Sequence, residues 1–441
     1  MSIRQLAGQY RDGGAARFHT PGHKGRPIPR LPDFEHFLPH DITELPFTGS
    51  LYDGDGPIAA AEAEVARVYG AADCLFSAGG STLCIQTMLA MTVGMGGTVI
   101  AGRNLHHSAV NTFALMDMTP VWLFPDNREG RLPVGVYRPD QLEALLRAHP
   151  EARAVYLTCP DYFGTLSDLA ALAAVCHAHG VPLLIDNAHG AHLGLFSPSL
   201  HPMALGADFC CDSFHKTLPA LTGGAVLLCR QPVDRREWKA GMSLFGSTSP
   251  NFAILSSLEQ CGPYLAMEGM QEFAAAAGAV AELERLSRAL GFFPLEGKKD
   301  PARFTVQLGG YSEAELESYF NGQGIFYELC SGDTVVFIVT PQNLPADTAR
   351  LADALRRLPR RAEGFIPYPA PGMGPVRMGV RQAMFAPARR LPVEQAYGRV
   401  CSSLYLCCPP GVPLCIPGEE LTEKEVQLLK NNGIHEVKVV E

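Results

Sequence analysis

The sequence predicts an α/β protein with a large, mostly parallel sheet domain and a smaller C-terminal α/β domain. Short, near-continuous apolar runs alternate with helix-like segments, as strands buried on both faces of a parallel sheet require. Acidic, hydroxyl and basic residues gather just after several of those runs, where open α/β sheets hold their ligands. Beyond about residue 245 the pattern changes to an alanine-rich helix and a second, shorter set of strands.

Residues 1–50 are rich in Pro, Gly and His without periodicity, and are read as an arm with short helices. At Asp55-Gly56-Pro57 a proline just inside the start, the apolar spacing of Ile58, Ala61, Val65 and Val68, and a stop at Gly70 predict a helix. A strand over 74–76 follows, then strands over 98–101, 121–124, 154–158, 182–186, 209–211 and 225–229, which makes 51–245 the large domain. In 246–365 a helix over 270–290 links to a small α/β domain with strands over 303–308, 325–329 and 334–339 and two helices. A Pro/Gly/Arg-rich linker near 359–377 leads into a C-terminal region, 366–441. That region carries Pro409-Pro410-Gly411-Val412-Pro413, Pro417-Gly418-Glu419, a capped helix from Thr422 and a strand over 437–440.

With 441 residues, 47% hydrophobic and 18% charged, the chain suffices for two or three domains with real cores. A net charge of −9 without a like-charge tail argues against nucleic acid or an anionic membrane as partner, and for a small molecule. Thirteen cysteines, an odd number with adjacent pairs at Cys210-Cys211 and Cys407-Cys408, fit buried thiols in a reducing compartment better than a disulfide framework. The start lacks the apolar stretch of a signal peptide and no window reaches membrane-span length, so a cytoplasmic protein is expected.

The chemistry is concentrated in Asp186-Asn187-Ala188-His189-Gly190-Ala191-His192 and Ser213-Phe214-His215-Lys216-Thr217. An aspartate closing an apolar strand and a lysine just past a later strand are what a protein needs to hold pyridoxal 5'-phosphate. Lys216 would form a Schiff base with the aldehyde, and Asp186 would keep the pyridinium nitrogen protonated. A lysine partly shielded there has a lowered pKa and reacts with an aldehyde more readily than a solvated one. Between strand and helix, Phe76-Ser77-Ala78-Gly79-Gly80-Ser81-Thr82 offers glycines, hydroxyls and a helix N-terminus to a phosphate; alone it also reads as a simple turn. His189 and His192 have the spacing of a metal pair, but the segment is not helical in character and no third ligand is spaced for zinc, so no metal is expected. His106-His107 reads either as a surface pair at a helix start or as a ring covering a cofactor face.

With these motifs in place, the chain resembles the Orn/Lys/Arg decarboxylase family. The matching stretches run through most of the chain: Phe18-His19-Thr20-Pro21-Gly22-His23-Lys24-Gly25, Arg103-Asn104-Leu105-His106-His107-Ser108, the Asp186 and Lys216 segments, Thr248-Ser249-Pro250, and the two proline-rich C-terminal motifs. The resemblance implies the aspartate-aminotransferase-like fold type I of pyridoxal-phosphate enzymes. It implies Lys216 as the Schiff-base lysine, Asp186 as the pyridinium partner, His189 beside the cofactor and His106 stacked on its ring. Gly80, Ser81, Thr82, Ser213 and His215 would hold the phosphate. It also implies that Ser249 reaches the phosphate of a neighbouring subunit, hence a homodimer or an assembly of dimers with shared sites. The chain resembles the short branch, without an N-terminal receiver-like domain.

Departures are equally specific. Asn187 stands where the family usually has glutamate, His107 where lysine is common, Ser403 where an acid often stands, and Asp161 where Thr or Ser is more frequent. The expected reaction is decarboxylation of lysine, ornithine or arginine to the amine and carbon dioxide. Lys216 or His215 would return the proton, and Asp161 or Glu419 would pair with the substrate's distal cation. The same constellation also serves an aminotransferase or aldol-type lyase of this fold, or a binding protein without activity.

Overall fold

The computed structural model describes residues 1–13, 16–28, 32–34, 36–126, 135–361, 373–406 and 413–441. The chain divides into two compact units, one of 1–91 with 184–270 and the other of 92–183 with 271–441. The large sheet has seven strands: β1 Asp73–Ser77, β2 Thr98–Gly102, β3 Thr119–Leu123, β4 Ala152–Thr158, β5 Leu183–Asp186, β6 Phe209–Asp212 and β7 Ala225–Cys229. Their order is β1-β7-β6-β5-β4-β2-β3. The pairs β2/β3, β2/β4 and β5/β6 are parallel, whereas β7 runs antiparallel to both of its neighbours, β1 and β6.

The first unit holds β1, β7, β6 and nearly all of β5. Every side chain of β5 and β7 is buried, which is why these strands read as unbroken apolar runs. The predicted helix is Gly56–Tyr69, closed by Gly70 in the left-handed region at φ 65°. The arm forms the helix Ile3–Asp12, with a capping box at Ser2, and two short 3-10 turns. A further helix spans Phe252–Met267 with Pro263 inside it; Asn251 starts it by accepting from the N–H groups of Ala253 and Ile254.

The second unit holds β2, β3 and β4 with helices His107–Leu115, Pro139–Ala148 and Leu169–Ala178. It also holds a four-stranded antiparallel sheet of β8 Phe293–Pro294, β9 Arg303–Gln307, β10 Leu329–Ser331 and β11 Thr334–Ile338, in the order β10-β11-β9-β8. Phe304, Phe320, Phe337 and Leu355 pack in its core. The strand expected over 325–329 begins only at Leu329. Ile325 spends its N–H on Phe320 O, closing the preceding helix, and Glu328 donates its N–H to Val336 O just ahead of the strand. Toward the C-terminus, β12 Ala388–Pro392 pairs with the terminal strand β15 Glu436–Val440, and β13 Tyr405–Leu406 with β14 Pro413–Cys415. Thr422 caps the helix Glu423–Asn431 through a box with Glu425. Residues 409–412 of the first proline-rich motif, Cys407-Cys408, and 362–372 of the expected linker lie outside the described residues.

Eleven cysteines are described, none in a disulfide, and all but Cys330 are buried. Among the described residues no helix is long and apolar enough to cross a membrane.

Candidate functional site

The site grows from the tips of β5 and β6, with Asp186 registered opposite Cys211. A strand buried along its whole length ends by setting one carboxylate, only 2% exposed, just past the last apolar residue. Asp186 Oδ1 accepts from the Ala188 N–H at 3.1 Å and from the Cys211 thiol at 3.6 Å. Burial, reinforced by the Asp186 charge, pushes the Cys211 thiol well above its usual range, so it keeps its proton.

Beyond β6, Ser213 leads into a single helical turn, Phe214–Thr217. Phe214 and Thr217 are buried, while Lys216 is only partly so. Its Nζ lies 2.8 Å from His189 Nε2, so the loop after Asp186 supplies the lysine's neighbour. His215 donates from Nδ1 to Gly224 O at 2.9 Å. Burial lowers the His215 pKa, Lys216 lowers it further, and the bond to Gly224 opposes them. The ring is therefore neutral at pH 7 with its proton engaged, which suits it to holding a ligand.

The third part is the start of the helix Gly80–Thr92. Ser77 Oγ donates to Gly80 O at 2.9 Å and accepts from the Gly79 N–H at 3.1 Å, which shapes the turn. Gly80 has φ +66°, and a Cβ there would meet nothing within 4 Å, so space is open above its backbone. Ser81 Oγ and Ser213 Oγ lie 2.7 Å apart, joining the glycine turn to the end of β6; Thr82 is exposed on the first turn. These residues fit pyridoxal phosphate. An open glycine, paired hydroxyls and a helix N-terminus suit a phosphate, a buried carboxylate suits a pyridinium, and a shielded amine suits an aldehyde. Ser249 is exposed, in the segment before the helix Phe252–Met267.

The remaining candidates belong to the second unit. His106 caps the helix His107–Leu115, its Nδ1 accepting from the Ser108 N–H at 3.2 Å, and its ring centroid lies 4.0 Å from that of His107. Asp161 and Glu419 are the two carboxylates expected beside a substrate cation. Asp161 Oδ1 accepts from the N–H groups of Phe163 at 2.9 Å and Thr165 at 2.8 Å, fastening its own turn. Glu419 faces Arg103 in a bidentate pair at 2.6 and 2.9 Å, both residues buried, and also accepts from the Ile416 N–H. The Glu419 carboxylate is thus committed to the fold.

Sequence reasoning missed Asp212 and His201. Asn187 Nδ2 donates to Asp212 Oδ1 at 2.6 Å, and His201 Nε2 lies 2.8 Å from Asp212 Oδ2. The available signal was a second aspartate closing a buried strand, directly before Ser213.

Residues 4–288 match the family model for the major domain of Orn/Lys/Arg decarboxylases, and residues 361–431 match the C-terminal domain of the same enzymes. The chain is 28% identical over 450 residues to an arginine decarboxylase of Bacillus subtilis, covering 94% of this chain and 90% of that one. It is 27% identical over 449 residues to an arginine decarboxylase of Halalkalibacterium halodurans, covering 95% and 90%. Its fold is similar to that of lysine decarboxylase A from Pseudomonas aeruginosa, with a TM-score of 0.85 at 17% identity, over 100% of this chain and 80% of that one.

Proposed function

The chain belongs to the Orn/Lys/Arg decarboxylase family and is an amino acid decarboxylase; from that premise we propose that it decarboxylates a basic amino acid using pyridoxal phosphate bound at the tips of β5 and β6. Arginine is the first substrate to test, because two relatives similar along nearly the whole chain, from Bacillus subtilis and Halalkalibacterium halodurans, are named arginine decarboxylases; lysine and ornithine follow. The observation that carries the reading is Lys216 Nζ at 2.8 Å from His189 Nε2, one loop away from the buried Asp186.

Each residue has a definite task in this reading. Asp186 holds a proton on the pyridine nitrogen, and its burial strengthens that pairing. Ser81, Ser213 and the first turn of the helix Gly80–Thr92 bind the phosphate, with neutral His215 as a further contact. Lys216 anchors the cofactor and moves the proton that replaces the carboxylate, while His189 orients its amine. When bound, pyridoxal phosphate accepts the electron pair left as carbon dioxide departs. His106 is carried along as the ring that covers the cofactor, on the resemblance alone. Ser249, exposed on its loop, is assigned to the phosphate of a second subunit, which makes the working unit a homodimer or an assembly of dimers.

The test is mass-spectrometric detection of amines after incubating the pyridoxal-phosphate-loaded protein with arginine, lysine and ornithine. Agmatine, cadaverine or putrescine should form with the native chain and vanish with Lys216→Ala. No amine from any of the three, in protein that holds the cofactor, would defeat the proposal.

A further inference from the structure

At position 187, where the family usually has glutamate, this chain has Asn187, and the structure supplies a partner for the change. β5 and β6 are parallel, and their ladder ends at Asp186 opposite Cys211. Just past that end the Asn187 N–H donates to Cys211 O at 3.0 Å. Its side-chain amide reaches across to Asp212 Oδ1 at 2.6 Å. The other oxygen of Asp212 takes His201 Nε2 at 2.8 Å. His201 Nδ1 accepts from the Met203 N–H at 3.2 Å, which leaves Nε2 as the ring's donor toward the carboxylate. The Cys210 thiol adds a contact to Oδ1 at 3.4 Å. Asn187, Asp212 and His201 are each 1% exposed or less, and the Tyr69 ring packs on His201 with centroids 4.7 Å apart.

We propose that Asn187, Asp212 and His201 act as one positioning unit for the site, a buried amide–carboxylate–imidazole brace that fixes the spacing of Asp186 and Lys216. This deepens the reading of Lys216 and Asp186 given above and rests on it. The placement is direct: Asn187 follows Asp186, and Asp212 precedes Ser213 and lies four residues before Lys216.

The brace has room for one carboxylate. Two buried carboxylates facing each other at this distance cannot both ionise, and an unpaired buried charge is strongly unfavourable. The family's glutamate is therefore excluded at 187 while Asp212 stands opposite, so Asn187→Glu should harm this chain although it restores the common residue. Exchanging the two groups preserves the chemistry. An aspartate at 187 accepts what an amide at 212 donates, and the oxygen of that amide still accepts from His201.

The experiment compares Asn187→Asp, Asp212→Asn, their combination and Asn187→Glu by three readouts. These are melting temperature without cofactor, the visible circular dichroism of bound pyridoxal phosphate, and kcat and KM for whichever basic amino acid reacts. Each single change should lower melting temperature, alter the visible band and cut kcat at least about tenfold with little change in KM. The double exchange should return all of them to near native values, with kcat within about threefold, as coupled neighbours require. Additive losses without rescue would overturn the brace. Rescue of melting temperature, with the visible band and kcat untouched in the singles, would reduce it to a merely structural contact and overturn the positioning role. A native chain that bound no pyridoxal phosphate would instead refute the site assignment and with it the positioning role; the cofactor-free melting series would still decide the pairing.

Discussion

Asp161 shows how one buried group links the fold to pH. Burial raises its pKa to about 6 from 3.8, against the pull of Thr165, Arg303 and Phe163. Between those values the folded chain keeps a proton that the unfolded chain gives up. The residue's contribution to stability therefore falls as pH rises through the window and is lowest above it. Asp161→Asn keeps the oxygen that the Phe163 and Thr165 N–H groups need and removes the charge. Urea unfolding should find the variant nearly equal to the native chain near pH 3 and more stable by roughly 3 kcal/mol at pH 7. An equal gain at both pH values, or a loss at pH 7, would contradict this. At this scale the sequence was legible where chemistry is local. Asp186, His189, Ser213 and Lys216 all sit within a few residues of a strand end, so their company was visible. The pairing of Glu419 was not legible because its partner, Arg103, is 316 residues away, and nothing local distinguishes an acid paired across that distance from one awaiting a ligand.

Among the elements, the Pro417-Gly418-Glu419 turn has a purely architectural explanation. Gly418 has φ +99°, and a Cβ there would lie 2.3 Å from Met378 O. That strand of backbone is held in place, since Gly418 O accepts from the Arg377 N–H at 2.8 Å. The turn in turn delivers Glu419 to Arg103, whose guanidinium also lies 5.1 Å from the centre of the Trp122 ring. Gly418→Ala should therefore destabilise the chain by at least about 2 kcal/mol, from backbone strain and the clash together. Trp122 fluorescence should change with it. A variant that melts like the native chain would refute this account of the motif. Most strands of the large sheet were legible because burial on both faces leaves continuous apolar runs, and helix ends were marked by Gly70, which lacks a Cβ and turns left-handed, and by the Thr422 hydroxyl. The helix around Pro263 and the late start of β10 were not legible. There, packing and a helix-closing hydrogen bond override the local signal.

At the level of the whole molecule, the family assignment explains why the motifs extend from the arm to the C-terminal region, since the two family models match 4–288 and 361–431. The proposed sharing of sites between subunits has a distinctive consequence. Lys216→Ala and Ser249→Trp, each inactive alone, should regain activity when mixed, because a hybrid dimer keeps one site with both native residues. About a quarter of native activity is expected if subunits exchange freely and every chain pairs at random. No recovery after demonstrated subunit exchange would place Ser249 outside the partner's site. The overall fold class was readable from strand–helix alternation, whereas which loops meet which strand tips depended on tertiary packing that no sequence spacing encodes.

Every role proposed for the site depends on the tips of β5 and β6 holding pyridoxal phosphate on Lys216. Borohydride reduction of the cofactor-loaded protein, followed by peptide mass mapping, tests it most directly. A single phosphopyridoxyl group is expected, on the peptide containing Lys216. A stoichiometric label on another lysine, or none on a chain that decarboxylates its substrate, would contradict it.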